Sequence, residues 1–496
     1  MDEVHTTKVP GVKAEFASLD LNDKRLDRRG YFIAERVASA PGRSFPQLFP
    51  DKAELEAFYR FVENPYLTMD DVLKPHEDAT CRRCEEAGEV LVLHDTTEFA
   101  FGGEKHREGL GPLRGKGQGF FAHVSLAVSN DDARDPLGLL NILPWTRKDK
   151  GEQTSSQWPF KEKEQERWGM SVEASKCNLD ETVNAIHVMD REGDDYSLLA
   201  GLLDDRFVIR ICHDRKIVWP EGLQTTQPDR LMAALRQADA VCERPVKLSP
   251  RKRQANPRQR KIYPQRRERT AVLQMSALQV TLVRSGWLDL QGRTDLPKEL
   301  DANLVRVWEE NPPEGEEPVE WLLVTTEPID TVEQIERVVD IYRTRWLVEE
   351  FFKALKTGCA YRKRQLKGLA TLQVALAILA PVAWGLLVLR HRARSMPDTP
   401  AEAIVTQSQI EILQAKGYLA TSRPTVRDAL LAVAKLGGHI KRNGEPGWEV
   451  IGRGYTDLLL MEQAWAAALK SRCGPNEPVC SAENLVPKPP ERCDQS

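Results

Sequence analysis

The spacing of apolar residues changes along the chain and divides it into three parts. Residues 13 to about 85 are polar and helix-patterned: 21–38 (LNDKRLDRRGYFIAERVA) and 51–65 (DKAELEAFYRFVENP) repeat apolar positions every three or four residues, with a PGRSFP break between them. From Glu89 the period shortens. Five short runs rich in β-branched residues, at 89–95, 122–128, 137–143, 184–190 and 206–212, read as strands, with a helix-like SLLAGLLDD between the last two. Strands followed by alternating strand and helix predict an α/β core. Polar, strand-prone sequence from about 215 to 320, including TAVLQMSALQVTLVRS, predicts a β-rich insertion within that core. Beyond it, 338–358 is patterned as one helix ended by Gly358, with basic residues in its last turns.

The third part opens on an apolar run. Residues 369–389 hold only Thr371 and Gln373 as clear polar side chains, and such a length can span a bilayer. Five alanines, Pro381, and basic residues on both flanks (Lys367 and Arg390) favour a buried helix instead. From about Arg472 the chain is proline-rich (Pro475, Pro478, Pro487, Pro489 and Pro490) and reads as a disordered tail. The expected division is therefore 1–85 helical, 86–367 an α/β core interrupted at about 215–320, 368–471 helical, and 472–496 tail.

Composition adds little until it is taken region by region. With 70 Lys and Arg against 74 Asp and Glu the formal charge is −4, which by itself names no partner. Between Lys247 and Arg269, however, ten basic residues face one acid, Glu268. Such a block is either a solvated loop or a polyanion-binding segment, and its flanking strands and Tyr263 favour the second. Arg25, Arg28, Arg29 and Arg36 enrich the first long helix in the same way, as a solvated face or a DNA-facing one. Nine cysteines, an odd number over 496 residues, argue against a disulfide scaffold and for a reducing cytoplasm. Cys81 and Cys84 form a lone CxxC whose nearest further ligand is His76, so incidental thiols are favoured over a metal site. The first residues show no basic stretch followed by an apolar one, hence no visible signal peptide.

Two aspartates each end a predicted strand, Asp95 in LVLHDTTEF and Asp190 in HVMDREGDD. Either alone could merely cap a turn. The 338–358 helix supplies a third acid. At about 100° per residue, Tyr342, Arg345, Glu349 and Lys356 fall within a window of about 60°, with Leu347, Val348, Phe351, Phe352, Ala354 and Leu355 on the other side and Glu350 away from the polar strip. An isolated helix with this pattern would be a salt-bridged surface. Beside two strand-end aspartates it becomes a candidate site in which three carboxylates hold divalent metal for phosphoryl chemistry.

These residues resemble the DDE transposases of bacterial insertion sequences, in the insertion-sequence-four group that includes the transposon-five enzyme. The resemblance runs from about residue 15 to 465. It rests on the Tyr-x2-Arg-x3-Glu-x6-Lys signature at Tyr342, Arg345, Glu349 and Lys356, on the DTT strand end at Asp95, and on the DREAD-like strand end at Asp190, where Gly193 replaces the frequent Ala. Segments 59–65 and 432–455 resemble the N-terminal and C-terminal family patterns. The resemblance implies an RNase H-like catalytic core with a β-rich insertion, an N-terminal helical domain that binds transposon ends, and a C-terminal helical region that supports dimerisation. It implies Asp95, Asp190 and Glu349 as catalytic and metal-binding residues, with two Mg2+ ions per site and Mn2+ as an alternative. It further implies DNA contacts by Tyr342, Arg345, Lys356, Arg210, Arg25 and Arg29, and by Trp321, which matches a base-stacking tryptophan but is equally a core aromatic. The implied partners are double-stranded DNA, as transposon ends and target, and a second copy of the chain in a synaptic complex. No membrane is implied; the expected location is the bacterial cytoplasm, at the nucleoid when DNA-bound. A regulatory DNA-binding protein of transposase origin and an RNase H-like nuclease without strand transfer remain alternatives.

Overall fold

The computed structural model describes residues 12–102, 106–115, 117–147, 166–220, 228–248, 264–290, 292–440, 442 and 444–472. It opens with helices α1 (Val12–Glu15), α2 (Lys24–Ser39), α3 (Phe45–Leu48), α4 (Lys52–Val62) and α5 (Met69–Ala87). Their ends follow from local chemistry. Asp23, Asp51 and Thr68 accept main-chain N–H groups at the starts of α2, α4 and α5. Gly88, at φ 71°, stops α5 in a conformation that side-chain-bearing residues rarely adopt.

The core is one mixed sheet. Strands β1 (Glu89–Phe101), β2 (Gly111–Pro112), β3 (Gln118–Ser129) and β4 (Pro136–Trp145) are followed by helix α6 (Glu166–Asn178), β5 (Asn184–Met189), α7 (Tyr196–Gly201) and β6 (Arg206–Arg210). β1 pairs antiparallel with β3 and parallel with β5, which in turn pairs parallel with β6; β3 also pairs with β4. The spatial order β4-β3-β1-β5-β6, three antiparallel strands and then two parallel ones, is an RNase H-like core.

The next elements are β7 (Ile217–Val218), α8 (Leu231–Gln237), β8 (Cys242–Leu248), β9 (Arg269–Val283), α9 (Gly286–Leu290), β10 (Glu299–Glu309) and β11 (Glu320–Thr325). The expected β-rich insertion is present, and its long strands prolong the core sheet: β11 pairs antiparallel with β6, β10 with β11 and β9 with β10. Most of the basic block, residues 249–263, lies outside the described residues. Arg269 at its end serves structure, with its guanidinium paired to Glu309 and Glu316.

The expected single helix at 338–358 is longer and broken. α10 (Val332–Thr344) ends one residue before α11 (Trp346–Lys353), and a π-helical turn follows at Ala354–Gly358. Next come α12 (Leu369–Ser395), α13 (Gln407–Ala415), α14 (Val426–Leu436) and α15 (Trp448–Arg472). α12 is the one described helix long and apolar enough to cross a membrane, and its apolar stretch is mostly buried inside the chain. Its Trp384 donates to the Pro136 carbonyl at 2.9 Å, and Arg392 holds Asp135 at 2.9 Å, so the start of β4 and the turn before it grip the C-terminal half of the helix.

The N-terminal helices are riveted to this core by buried polar groups. His76 Nδ1 lies 2.5 Å from Glu15 Oε2, while its Nε2 accepts the Leu139 N–H at 3.1 Å; Nδ1 therefore carries the proton. Arg83 donates to Glu15 at 2.9 Å and stacks 4.4 Å from the Trp384 ring centre. The nearly buried Arg364 donates to the carbonyls of Pro41, Arg43 and Cys359. Burial raises the Cys81 and Cys84 thiols to about 11 and about 12, so both stay protonated, and His76 is committed elsewhere.

Candidate active site

Asp95 lies within β1 and not at its end, because the hairpin with β3 carries the strand on to Phe101. The parallel partner β5 stops earlier, its last pair being Leu93 with Val188, so the sheet opens on one side of Asp95. Asp190 follows β5 directly. It starts a 3-10 turn at Arg191–Gly193, accepting the Glu192 N–H at 2.8 Å. Glu349 comes from α11, which packs across β1.

Arg345, the single residue between α10 and α11, joins two of these acids. Nη1 donates to Asp95 Oδ2 at 3.1 Å and Nη2 to Glu349 Oε1 at 2.5 Å. Burial and the neighbouring charges of Asp190 and Glu349 push the Asp95 carboxyl up to about 7, against the pull of Arg345. Burial opposes the Arg345 charge, yet Asp95, Tyr342, Glu349 and Asp190 together hold its pKa above the ordinary value.

The π-helical turn carries Lys356 to β1, where it donates to the Thr97 hydroxyl and stands 5.4 Å over the Phe99 ring. Burial first, and then Arg362, lowers its pKa to about 8, partly offset by Glu98 and Asp95. Tyr342 is almost buried, with its ring 5.7 Å from that of Trp321 at an interplanar angle of 60°. Trp321 is half-buried on β11, beside this cluster. Arg210, at the end of β6, donates to the Glu320 carbonyl at 3.0 Å and so sits next to Trp321. Arg25 and Arg29 belong to α2; Arg25 is largely exposed beside Asp23, and Arg29 lies 5.8 Å from the Phe32 ring.

The three carboxylates suit a divalent cation: they arrive from three different elements, and burial together with the charges of the other two raises the pKa of Asp95. Among the described residues, the three ligating groups with donor atoms within 4.8 Å of one another are a different set, Asp194, Cys212 and His213. That set is a staple. Asp194 is buried; its Oδ2 accepts the Cys212 and His213 N–H groups at 2.6 and 2.8 Å and its Oδ1 pairs with Arg215. Its acceptor positions are thus occupied, and it ties the turn after Asp190 to the exit of β6.

Three features here were not foreseen. One is the bridge made by Arg345. Another is Asp194, discernible only as the last acid of the DREGD run. The third is a row of buried histidines beneath the site. His94 Nε2 lies 2.9 Å from His187 Nδ1, and His123 Nδ1 lies 2.9 Å from the Thr96 hydroxyl. Each of the strand segments containing Asp95, Val124 and Asp190 carries one histidine, and that was the available signal.

Two family descriptions match the chain: a transposase DNA-binding domain over residues 11–67 and a transposase DDE domain over residues 206–383. Over these two segments the chain is similar to DDE transposases. The DDE match includes Arg210, Trp321, Tyr342, Arg345, Glu349 and Lys356 and begins after Asp95 and Asp190; the DNA-binding match includes Arg25 and Arg29. A piggyBac transposase, solved by cryo-electron microscopy as a synaptic complex with hairpin DNA, aligns over 98% of this chain and 86% of its own at 12% identity. The TM-score of that alignment is 0.35.

Proposed function

We propose that the chain is a cut-and-paste DNA transposase of the insertion-sequence-four group, similar to the transposon-five enzyme. The observation that carries this reading is the convergence of Asp95, Asp190 and Glu349 around Arg345 in a chain with a DDE domain. In this reading residues 1–85 bind transposon ends, 86–367 form the catalytic region and 368–471 support a homodimer that synapses two ends. Its place of action is the bacterial cytoplasm and nucleoid.

Asp95, Asp190 and Glu349 would hold two Mg2+ or Mn2+ ions. When bound, such a pair activates an attacking oxygen and stabilises the leaving one in an in-line displacement at phosphorus. Arg345, Lys356 and the Tyr342 hydroxyl orient the phosphates flanking the scissile bond. A water oxygen first displaces a 3′-OH at the transposon end. That 3′-OH then attacks the opposite strand, releasing the flanking DNA and leaving a hairpin, which a second water opens. The regenerated 3′-OH finally attacks target DNA. The hairpin requires a terminal base to leave the stack, at a cost of a few kcal/mol, and Trp321 beside Tyr342 offers a stacking surface for it.

The test uses purified protein, Mg2+ and a labelled duplex carrying the terminal repeats that flank the coding sequence. Hairpin-ended product and joined target are expected from the parent and neither from Glu349→Ala. Equal cleavage by the variant would remove Glu349 from the site. Cutting without joining would replace transposition by simple nuclease activity.

A further inference from the structure

α11 is only eight residues long, and neither of its ends continues as regular α-helix: Arg345 interrupts it on one side and the π-helical turn on the other. Its orientation therefore has to be fixed by side chains. Glu349 faces the carboxylate cluster, while Glu350, one residue on and about 100° round the helix, is 7% exposed. Its carboxylate accepts Lys353 Nζ at 2.8 Å and pairs with Arg390 at 3.4 Å and Arg394 at 3.8 Å, both from the last turns of α12. The Arg390 guanidinium lies 4.5 Å from the Trp448 ring centre, in the first turn of α15. One buried carboxylate thus links α11 to α12 and, through Arg390, to α15.

We propose that Glu350 is a positioning residue for Glu349, fixing the rotation of α11 about its own axis against the C-terminal helices. The lever is short. A carboxylate about 6 Å from a helix axis moves about 1 Å for every 10° of rotation. A shift of that size at reacting groups costs on the order of 100-fold in rate. Without the Glu350 charge, Arg390 and Arg394 lose their nearest counter-ion; Glu445, the other acid acting on them, is engaged by Arg427. Their repulsion and the lost link between α11 and α12 then free α11 to turn.

This inference rests on Glu349 being a metal ligand, and the experiment separates the two claims. Mn2+ binding to the full chain is measured by electron paramagnetic resonance, together with the Mg2+ dependence of end cleavage, end-DNA affinity and melting temperature. Glu350→Gln is expected to weaken Mn2+ binding and raise the Mg2+ needed for half-maximal cleavage by about 10-fold. End-DNA affinity should stay within about twofold, and Glu350→Asp, which keeps the charge, should recover part of the loss. If Glu350→Gln does not fold, Arg390→Gln severs the same link and carries the same expectation. A lower melting temperature with unchanged Mn2+ and Mg2+ dependence would reduce Glu350 to a packing residue and overturn the proposal. Unchanged Mn2+ binding by Glu349→Ala would instead overturn the metal-ligand reading of Glu349.

Discussion

Arg345 donates to Asp95 across 3.1 Å and, with its other terminal nitrogen, to Glu349. A single guanidinium thus neutralises two of the three acids proposed to hold metal, and on that proposal a cation would have to displace it or share them with it. Arg345→Gln removes this internal competitor. The variant is expected to be less stable than the parent without metal, because Asp95, Asp190 and Glu349 then repel one another uncompensated. Added Mn2+ should raise its melting temperature by at least ~3 °C more than the parent's, since a ligand that binds only the folded state stabilises by mass action. Equal shifts in the two proteins would mean that Arg345 does not compete with metal.

The buried histidines of β1, β3 and β5 predict acid lability. Burial lowers His123 to about 3, with Arg167 contributing, and His187 to about 4, while in the unfolded chain both would titrate near the ordinary value of 6.5. Between those limits the unfolded state binds more protons than the folded one, so stability falls as pH drops below about 6.5. Two such groups give a slope of about 2.7 kcal/mol per pH unit near pH 5. His123 Nε2 has no hydrogen-bond partner, so His123→Leu removes a titrating group at the loss of one bond, that of Nδ1 to the Thr96 hydroxyl. Urea unfolding from pH 7 to 4 should show the variant taking up about one proton fewer on unfolding. An unchanged slope would show that His123 is not held neutral.

The α/β core was legible, and the three candidate acids could be singled out, because both depend on local pattern. Alternating runs marked β1, β3, β4, β5 and β6, and helical periodicity placed Tyr342, Arg345, Glu349 and Lys356 on one face. The extent of β1 was not legible, since the strand runs past Asp95 only because β3 pairs with it, and pairing partners leave no trace in one strand's own sequence. The break at Arg345 and the π-helical turn were hidden for a related reason: residues 338–358 keep helical periodicity throughout, and only packing against β1 and α12 selects the irregular turns. Glu350, Asp194 and Arg364 are charges whose partners lie far along the chain, so their burial follows from the fold and not from their neighbours.

Two adjacent aspartates after β5 should respond very differently to loss of charge. Asp194 is buried against Arg215, whereas Asp195 starts α7 by accepting the Ser197 and Leu198 N–H groups at 2.8 and 3.3 Å. Asp194→Asn leaves the Arg215 charge buried and unpaired, which is expected to cost about 3–5 kcal/mol. Asp195→Asn keeps a good capping residue and should cost less than about 1 kcal/mol. Denaturant unfolding distinguishes the two. Similar small losses would mean that Asp194 does not staple the turn bearing Asp190.

α15 crosses the π-helical turn and α14 so closely that main chain touches main chain. A Cβ on Gly452 would lie 2.5 Å from the Gly358 carbonyl oxygen, and one on Gly454 would lie 1.8 Å from that of Val433. Neither neighbour is a side chain that can swing aside, so Gly452→Ala must push α15 away from the turn that carries Lys356. A loss of about 1–3 kcal/mol is expected, read as a lower denaturation midpoint, together with reduced cleavage as Lys356 shifts from Thr97. Gly385 in α12 is the internal control, since a Cβ there meets nothing within 4 Å. Gly385→Ala should stabilise the helix by about 0.5–1 kcal/mol. If Gly452→Ala proved as benign as Gly385→Ala, the close crossing of α15 over Gly358 would be wrong, and with it the route by which the C-terminal helices support the catalytic face.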